Sequence, residues 1–302
     1  MRICDAVARY SRVKVVGLCH GILIGYGLVG TLLQDYLEVS PHVDAGERWM
    51  QSFQRSVDRL DIRAAGLNHF IWMLGLHDRQ TGEDLYPLLR EKAVALPAAQ
   101  MPLNRQLLQT FGLFPLLDAS HLCEYLPWMS DPVTRSWEKY GIHLWDWDAA
   151  EKGREQGHAE IARMADGRME IDHLRSADSE GALEIVENIA AAGTHYHLAV
   201  NLPNRGYIAN LPDGAIVELP GVVSGSGVHG IGMGSLPEPI AELCRREISV
   251  MRLCVDAAIH GDRQSALQCL LLDPVMRDID TAQQILDAYL DAYREHLPQF
   301  WR

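Results

Sequence analysis

A short apolar run at residues 13–16 ends at Gly17 and is followed directly by Cys19 and His20. Valines in an apolar run of this length are typical of a buried strand. A thiolate and an imidazole at the end of such a strand would lie where α/β proteins place their ligand sites. The same pair can also be a core cysteine beside a hydrogen-bonded histidine, so the pair alone leaves both interpretations open.

The size and charge of the chain set broad limits on its function. With 302 residues, 48% of them hydrophobic, the chain can bury a sizeable core in one large domain or two. A formal net charge of −13 argues against a nucleic-acid partner and against binding to an anionic membrane surface. No apolar run approaches the roughly 18 residues of a membrane-spanning helix.

The N-terminus and the cysteines together predict a cytoplasmic protein. Charges at Arg2, Asp5 and Arg9 leave no room for the apolar region of a signal peptide. The six cysteines are scattered without the spacing of a disulfide framework, which favours a reducing compartment.

The hydrophobic pattern predicts both helices and strands. Residues 1–12 are expected to form a helix that leads into a strand at 13–18, and residues 46–60 form an amphipathic helical pattern. Residues 221–238 are rich in glycine and serine and are expected to be flexible. From residue 237 onward, apolar positions recur at helical spacing to the end of the chain, which predicts a helical scaffold.

A polar pair, Asn68-His69, interrupts two extended apolar segments at residues 62–67 and 70–76. Polar groups between buried strands lower stability unless they are hydrogen-bonded, which points to a functional role. An exposed turn would carry the same pair at little cost, so the pattern alone does not decide between the two.

The run Gly25-Tyr26-Gly27-Leu28-Val29-Gly30 matches the GxGxxG pattern of a dinucleotide-binding loop. That loop should open directly from a strand, and only Ile22-Leu23-Ile24 precedes it here. The run is therefore interpreted chiefly as a glycine-rich turn or the start of a helix.

Two further clusters allow two interpretations each. The segment 111–131 is unusually apolar and aromatic, and either closes over a pocket or connects two elements in the core; its candidate site residues are His121, Glu124, Tyr125 and Trp128. His195 and His197 alternate along a predicted strand, which is consistent with a metal-binding pair or with the polar face of the strand.

Several motifs together resemble a known family. They are GLCHG (17–21), AAGLNHF (64–70), GEDLYP (82–87), FGLFP (111–115), HLCEYLPW (121–128), NLPDGAIVELP (210–220), GSLPEPIAEL (234–243) and AAIHGDRQSALQCLLLDP (257–274). Their order and spacing resemble glycoside hydrolase family 4, the NAD- and manganese-dependent glycosidases. GLCHG with AAGLNHF is most similar to the α-galacturonidase and α-galactosidase branch.

The resemblance implies a redox-assisted elimination in place of hydrolysis by two carboxylates. In the family, NAD⁺ accepts hydride from C3 of the sugar, a base removes the C2 proton, and the glycosidic oxygen leaves C1. Water then adds, and the hydride returns to C3. A divalent metal, manganese in the family, polarises the sugar oxygens as a Lewis acid. The substrate it implies is an α-linked galacturonate, with α-galactosides or α-glucosides as alternatives.

Residue roles follow from the motifs. Cys19 and His69 match the protein ligands of the metal, and His20 matches the acid that protonates the leaving oxygen. Tyr125 is expected to be the C2 base, with its pKa lowered by the nearby metal and cofactor cation. Asn68 and His121 are expected to contact the substrate.

The resemblance also implies a fold class between α/β and α+β. Residues 1–21 match only the end of a Rossmann-like nucleotide-binding domain. Residues 22–302 match the larger mixed α+β metal- and substrate-binding domain of the lactate dehydrogenase/family 4 glycosidase C-terminal type. In place of an arginine or lysine that relatives often carry after EYLPW, this chain has Met129-Ser130-Asp131, so a phosphate- or sugar-facing base is missing there.

Alternatives from other classes remain. The chain is expected to be an incomplete enzyme whose nucleotide-binding segment comes from elsewhere, such as a separate chain, or a non-catalytic metal- or sugar-binding remnant. An ordinary dehydrogenase, suggested by residues 25–30 alone, lacks a convincing cofactor fold. Family members imply a homo-oligomer, with the C-terminal helices as a plausible interface.

Overall fold

The computed structural model of the chain describes residues 1–19, 21–172, 174 and 180–302. Its centre is an antiparallel sheet with the strand order β3-β2-β1-β5-β4, in which β6 is also paired to β5. The strands are β1 (Leu60–Leu67), β2 (Phe70–Asp78), β3 (Phe114–Pro115), β4 (His195–Pro203), β5 (Ile216–Ser224) and β6 (Gly227–Gly230).

Helices surround this sheet. They are α1 (Arg2–Tyr10), α2 (Gly21–Leu32), α3 (Ala45–Arg59), α4 (Tyr86–Ala95), α5 (Pro102–Phe111), α6 (Ala119–Tyr125), α7 (Trp147–Ala165), α8 (Ala182–Ala190), α9 (Glu238–His260), α10 (Arg263–Leu272) and α11 (Ile279–Ala292). Aspartates begin several of them because a carboxylate satisfies the free amides of the first turn; Asp44 accepts from the Glu47 amide at α3. This mixed composition confirms the α+β part of the predicted fold class, and α9 to α11 confirm the predicted helical scaffold.

Helix α2 packs against the central strands, and its glycines permit the close approach. A Cβ on Gly25 would lie 2.6 Å from the Leu116 side chain, and one on Gly30 would lie 2.3 Å from the Ser52 carbonyl oxygen of α3. The GxGxxG run is therefore the buried interior of a helix. Its glycines serve helix packing, and a dinucleotide loop at residues 25–30 is wrong.

The predicted strand at 13–18 does not form. Within the described residues of this segment, Gly17 alone pairs with the sheet, through two 2.9 Å backbone hydrogen bonds with Asn201 at the outer edge of β4. Val13 is 67% exposed. A buried strand needs a neighbour on each side, and in the described part of the chain this segment has only β4 beside it. The segment still carries Cys19 to the sheet.

The glycine- and serine-rich segment is also more ordered than expected. Residues 221–224 belong to β5 and residues 227–230 to β6, and the two strands form a tight hairpin with Ser224 paired to Gly227. Small residues suit this hairpin because a Cβ on Gly230 would clash with the Leu219 side chain at 2.7 Å. The prediction of a flexible segment is therefore wrong for residues 221–230.

None of the helices in the described ranges combines the length and apolarity of a membrane span.

Candidate active site

Cys19 and His69 meet beside the central strands although 50 positions separate them. The Cys19 sulfur lies 3.1 Å from Nε2 of His69. Cys19 precedes the first residue of α2, and His69 occupies the two-residue turn between β1 and β2. His69 has a φ of 65°, a left-handed conformation that non-glycine residues rarely adopt and that recurs at functional sites. The expected convergence of the two side chains is present, whereas their role as metal ligands stays a prediction.

The surroundings of His69 favour a neutral imidazole. Burial lowers its pKa, and the neighbouring imidazole of His121 lowers it further. A neutral imidazole has a lone pair free for a metal ion. Cys19 is exposed, so its sulfur is accessible to a ligand from solvent.

Asn68 joins the two segments. Its side-chain amide donates to the Cys19 carbonyl and, at 2.9 Å, to Oε2 of Glu218. Asn201 donates to the same Cys19 carbonyl at 3.0 Å. The amide nitrogen of Asn68 is thus engaged within the protein, and its Oδ1 is the atom left to contact a substrate, the role predicted for this residue.

The sequence interpretation missed Glu218. This residue lies in the middle of β5, is fully buried, and accepts a 2.8 Å hydrogen bond from the Ile22 amide. Burial raises the pKa of its carboxyl group to about 8, against the opposing effect of the hydrogen bonds from Ile22 and Asn68. A single carboxylate inside the apolar strand Ile216–Ser224 was the available signal, because a buried charge requires partners.

His121 lies against His69. The two rings meet edge to face with centroids 4.7 Å apart, and Nδ1 of His121 is 2.7 Å from Oδ2 of Asp118. Asp118 begins α6 and also accepts from the Ser120 amide, so it fixes the orientation of the imidazole. Although burial raises the pKa of Asp118, hydrogen bonds from Ser120 and His121 lower it overall, which favours the carboxylate. His121 is therefore held beside the Cys19–His69 pair, as a substrate contact would require.

Tyr125 is held against the turn that carries Asn68 and His69. Its hydroxyl donates to the Asn68 carbonyl at 2.8 Å, and its ring stacks on Phe70 with centroids 5.0 Å apart. Burial raises its pKa, and the carboxylates of Glu247 and Glu124 raise it further. The protein surroundings alone thus raise this pKa, and the lowering expected from a metal and a cofactor cation stays a prediction. A role as base stays a prediction that depends on cations outside the chain.

The remaining candidate residues do not join the Cys19–His69 pair in the described part of the chain. His20 lies outside the described residues. Glu124 and Trp128 are exposed, and Trp128 stacks on Phe111. His195 and His197 lie with ring centroids 5.2 Å apart on β4, where burial lowers the pKa of His197. Among the described residues, no group of three or more histidine, cysteine, aspartate or glutamate side chains is arranged to hold a metal ion.

The donor set nevertheless fits a divalent metal. One sulfur and one imidazole nitrogen suit a borderline ion, and two protein ligands leave coordination positions for substrate oxygens and water. A cavity of about 500 Å³ lies at the other end of the β1–β2 hairpin, lined by Asp61, His77, Asp78, Arg79, Gly82 and Tyr196. That cavity is separate from the Cys19–His69 pair.

Several characterised proteins are similar in sequence to this chain. An α-galactosidase of Rhizobium meliloti is 29% identical to this chain. The similarity covers 98% of this chain and 58% of the length of that protein. An α-glucosidase of Erwinia rhapontici and an α-galacturonidase of Bacillus subtilis are each 25% identical over 96% of the chain. The chain spans 58–65% of the length of these relatives.

Solved structures share the fold. A crystal structure of a glucosidase candidate from Bacillus subtilis has a TM-score of 0.77 at 23% identity, covering 95% of this chain and 66% of that one. The 6-phospho-β-glucosidase of Thermotoga maritima, solved with manganese, NAD⁺ and glucose-6-phosphate, has a TM-score of 0.68 at 20% identity, covering 98% and 64%.

Residues 64–276 match the model of the family 4 glycosyl hydrolase C-terminal domain, which is more than half of the chain. The chain belongs to glycosyl hydrolase family 4.

Proposed function

We propose that this chain is the metal- and substrate-binding part of a glycosidase that acts on an α-linked sugar with a divalent metal and NAD. The observation that carries the proposal is the 3.1 Å approach of the Cys19 thiol to the His69 imidazole. It is supported by a relative's manganese- and NAD⁺-containing structure and by relatives named as α-glycosidases.

Each residue has a proposed task. Cys19 and His69 hold the metal, which supplies Lewis-acid polarisation of sugar oxygens when bound. Asn68 and His121 orient the sugar, through the free Oδ1 of Asn68 and an imidazole fixed by Asp118. His20, which lies outside the described residues, is proposed to protonate the leaving oxygen.

Tyr125 remains the proposed base at C2, with a second task. Its hydroxyl donates to the Asn68 carbonyl, so it also fixes the turn that carries His69. To act as a base, it must lose this proton, which the bound cations would favour.

The proposed substrate is an unphosphorylated α-galacturonide, with α-galactosides and α-glucosides as alternatives. In the segment after EYLPW, Met129 and Ser130 are buried and Asp131 pairs with Arg277. Residues 129–131 thus include no basic side chain that could bind a phosphate group, which disfavours a sugar phosphate as the substrate. Identities of 25–29% to three differently named relatives do not choose between the sugars.

Residues 25–30 do not fit NAD, because they form the interior of α2. We propose that the cofactor is held by a segment outside residues 1–302, in the same polypeptide or a separate chain, and that the whole enzyme is a cytoplasmic homo-oligomer. The same observation favours a second candidate, a non-catalytic metal- or sugar-binding module.

Two measurements test the proposal. Co²⁺ added to the chain should give a near-ultraviolet thiolate-to-cobalt absorption that Cys19→Ser abolishes and His69→Gln weakens by about 10-fold or more. If both variants keep the wild-type absorption, the proposed metal site is wrong. Cleavage of an aryl α-galacturonide with Mn²⁺ and NAD⁺ should appear only when a nucleotide-binding domain of the family is added. If the chain binds metal but the added domain gives no cleavage, the non-catalytic module is favoured.

A further inference from the structure

Glu218 connects the two segments that carry Cys19 and His69. Its Oε1 accepts from the Ile22 amide in the first turn of α2, and its Oε2 accepts from the Asn68 side chain in the β1–β2 turn. The Gly21 amide also lies within its hydrogen-bonding environment. From its place in β5, Glu218 thus holds the start of α2 with one side-chain oxygen and the β1–β2 turn with the other.

The connection continues to the sulfur-bearing residue itself. The Asn68 amide that donates to Glu218 also donates to the Cys19 carbonyl. Both facing atoms are acceptors, so the amide nitrogen must point toward them. Asn201, which is paired with Glu218 across β4 and β5, supports the same Cys19 carbonyl at 3.0 Å.

The position of Glu218 is rigid. The residue is fully buried, and β5 is hydrogen-bonded on both sides, with Gly66 of β1 opposite Glu218 on one side and Asn201 of β4 on the other. Gly66 lies three residues before His69 on the strand that enters the turn. A carboxylate anchored in this way can set a fixed distance between two loops that have no backbone pairing with each other.

We infer that Glu218 is the positioning residue of the metal site: through Ile22 and Asn68 it sets the separation of the Cys19 sulfur and the His69 imidazole. This inference rests on the proposed metal site. Each of the two oxygens of Glu218 faces a donor, whereas a glutamine at 218 would turn its NH₂ group toward the Asn68 amide or the Ile22 amide. Groups that orient ligands typically change metal affinity by 10- to 100-fold when they are replaced.

The test uses the full 302-residue chain and Co²⁺. The thiolate-to-cobalt absorption measures Co²⁺ binding. Glu218→Gln should weaken this binding by roughly 10- to 100-fold. Asn68→Ala should do the same, and the double variant should be no weaker than either single one, because both interrupt one connection.

Asp78→Asn is the matched control. Asp78 is a buried carboxylate of the same sheet, at the far end of β2, where it accepts from Arg59 and Tyr36. Its replacement should lower the melting temperature but leave Co²⁺ affinity within about twofold. Glu218→Gln with wild-type Co²⁺ affinity, or with a loss no greater than that of Asp78→Asn, would overturn the inference.

A metal-free readout separates this inference from the proposed function. If the wild-type chain gives no cobalt–thiolate absorption, the metal site fails. The rate at which iodoacetamide alkylates Cys19, followed by mass spectrometry, then decides on Glu218. Glu218→Gln and Asn68→Ala should change that rate in the same direction by at least about twofold, non-additively, and Asp78→Asn should not. An unchanged rate in Glu218→Gln would refute a positioning role.

Discussion

Replacing Gly30 with alanine should destabilise the protein, because the space for a side chain is occupied by backbone. The new Cβ would lie 2.3 Å from the Ser52 carbonyl oxygen and 2.8 Å from its carbonyl carbon. Relief requires a shift of about 1 Å between α2 and α3, since Ser52 is in the middle of α3 and buried. Overpacking of this kind costs typically about 1–3 kcal/mol.

The helix itself gains from the substitution. Alanine is favoured over glycine in a helix interior by about 1 kcal/mol. Because a backbone group must move, we expect the upper part of the overpacking range. The net loss in the free energy of unfolding should be about 2 kcal/mol for Gly30→Ala.

Gly27→Ala is the matched control. Its Cβ would lie 2.4 Å from the ring of Trp49, which is 37% exposed and can rotate into solvent. The gain in helix propensity then offsets the displaced ring, and the free energy of unfolding should stay within about 1 kcal/mol of wild type.

Urea unfolding followed by circular dichroism measures both variants. NAD⁺ titration of the folded proteins is the second measurement. A Gly30→Ala protein as stable as the wild type would refute the predicted clash with Ser52. A Gly30→Ala chain that keeps its stability but loses NAD⁺ binding would instead restore residues 25–30 as a cofactor loop.

Three further predictions follow from the site. Tyr125→Phe removes the donor to the Asn68 carbonyl and should lower the free energy of unfolding by about 1–2 kcal/mol; no change in urea unfolding would speak against a structural role for the hydroxyl. The folded pKa of Glu218, about 8, exceeds the value of about 4.3 in the unfolded chain, so the native state binds the extra proton and stability should fall as pH rises between these values. Glu218→Gln should remove this contribution, and equal pH slopes for the two proteins would contradict it. Asp118→Ala should lose about 1 kcal/mol of stability as a helix cap, whereas Asp118→Asn should be nearly neutral; equal melting temperatures for the two variants would rule out the cap.

Local patterns predicted elements whose partners lie close in sequence. The β1–β2 hairpin around Asn68-His69 was visible as two apolar segments, because its pairing is formed across a two-residue turn. The amphipathic helix α3 was visible for the same reason, since its hydrogen bonds are internal. The strand predicted at 13–18 does not form because a strand exists only if distant segments pair with it, and among the described residues only Asn201 pairs with this segment.

The glycine run at 25–30 shows how one pattern fits two structures. Glycine permits both a phosphate-binding turn and the close packing of two helices. Only the positions of Leu116 and Ser52 decide between them, and those residues are distant in sequence.

For the site, the sequence by itself determined which chemical groups are available: a thiol at Cys19, an imidazole at His69, and motifs that resemble one enzyme family. The tertiary structure decided their relation, because a 3.1 Å contact between residues 50 positions apart depends on how the whole sheet is assembled. It also identified Glu218, whose importance comes from full burial between Ile22 and Asn68. A sequence pattern does not show which donors a buried carboxylate will meet, because those donors are brought to it by strand pairing and helix packing.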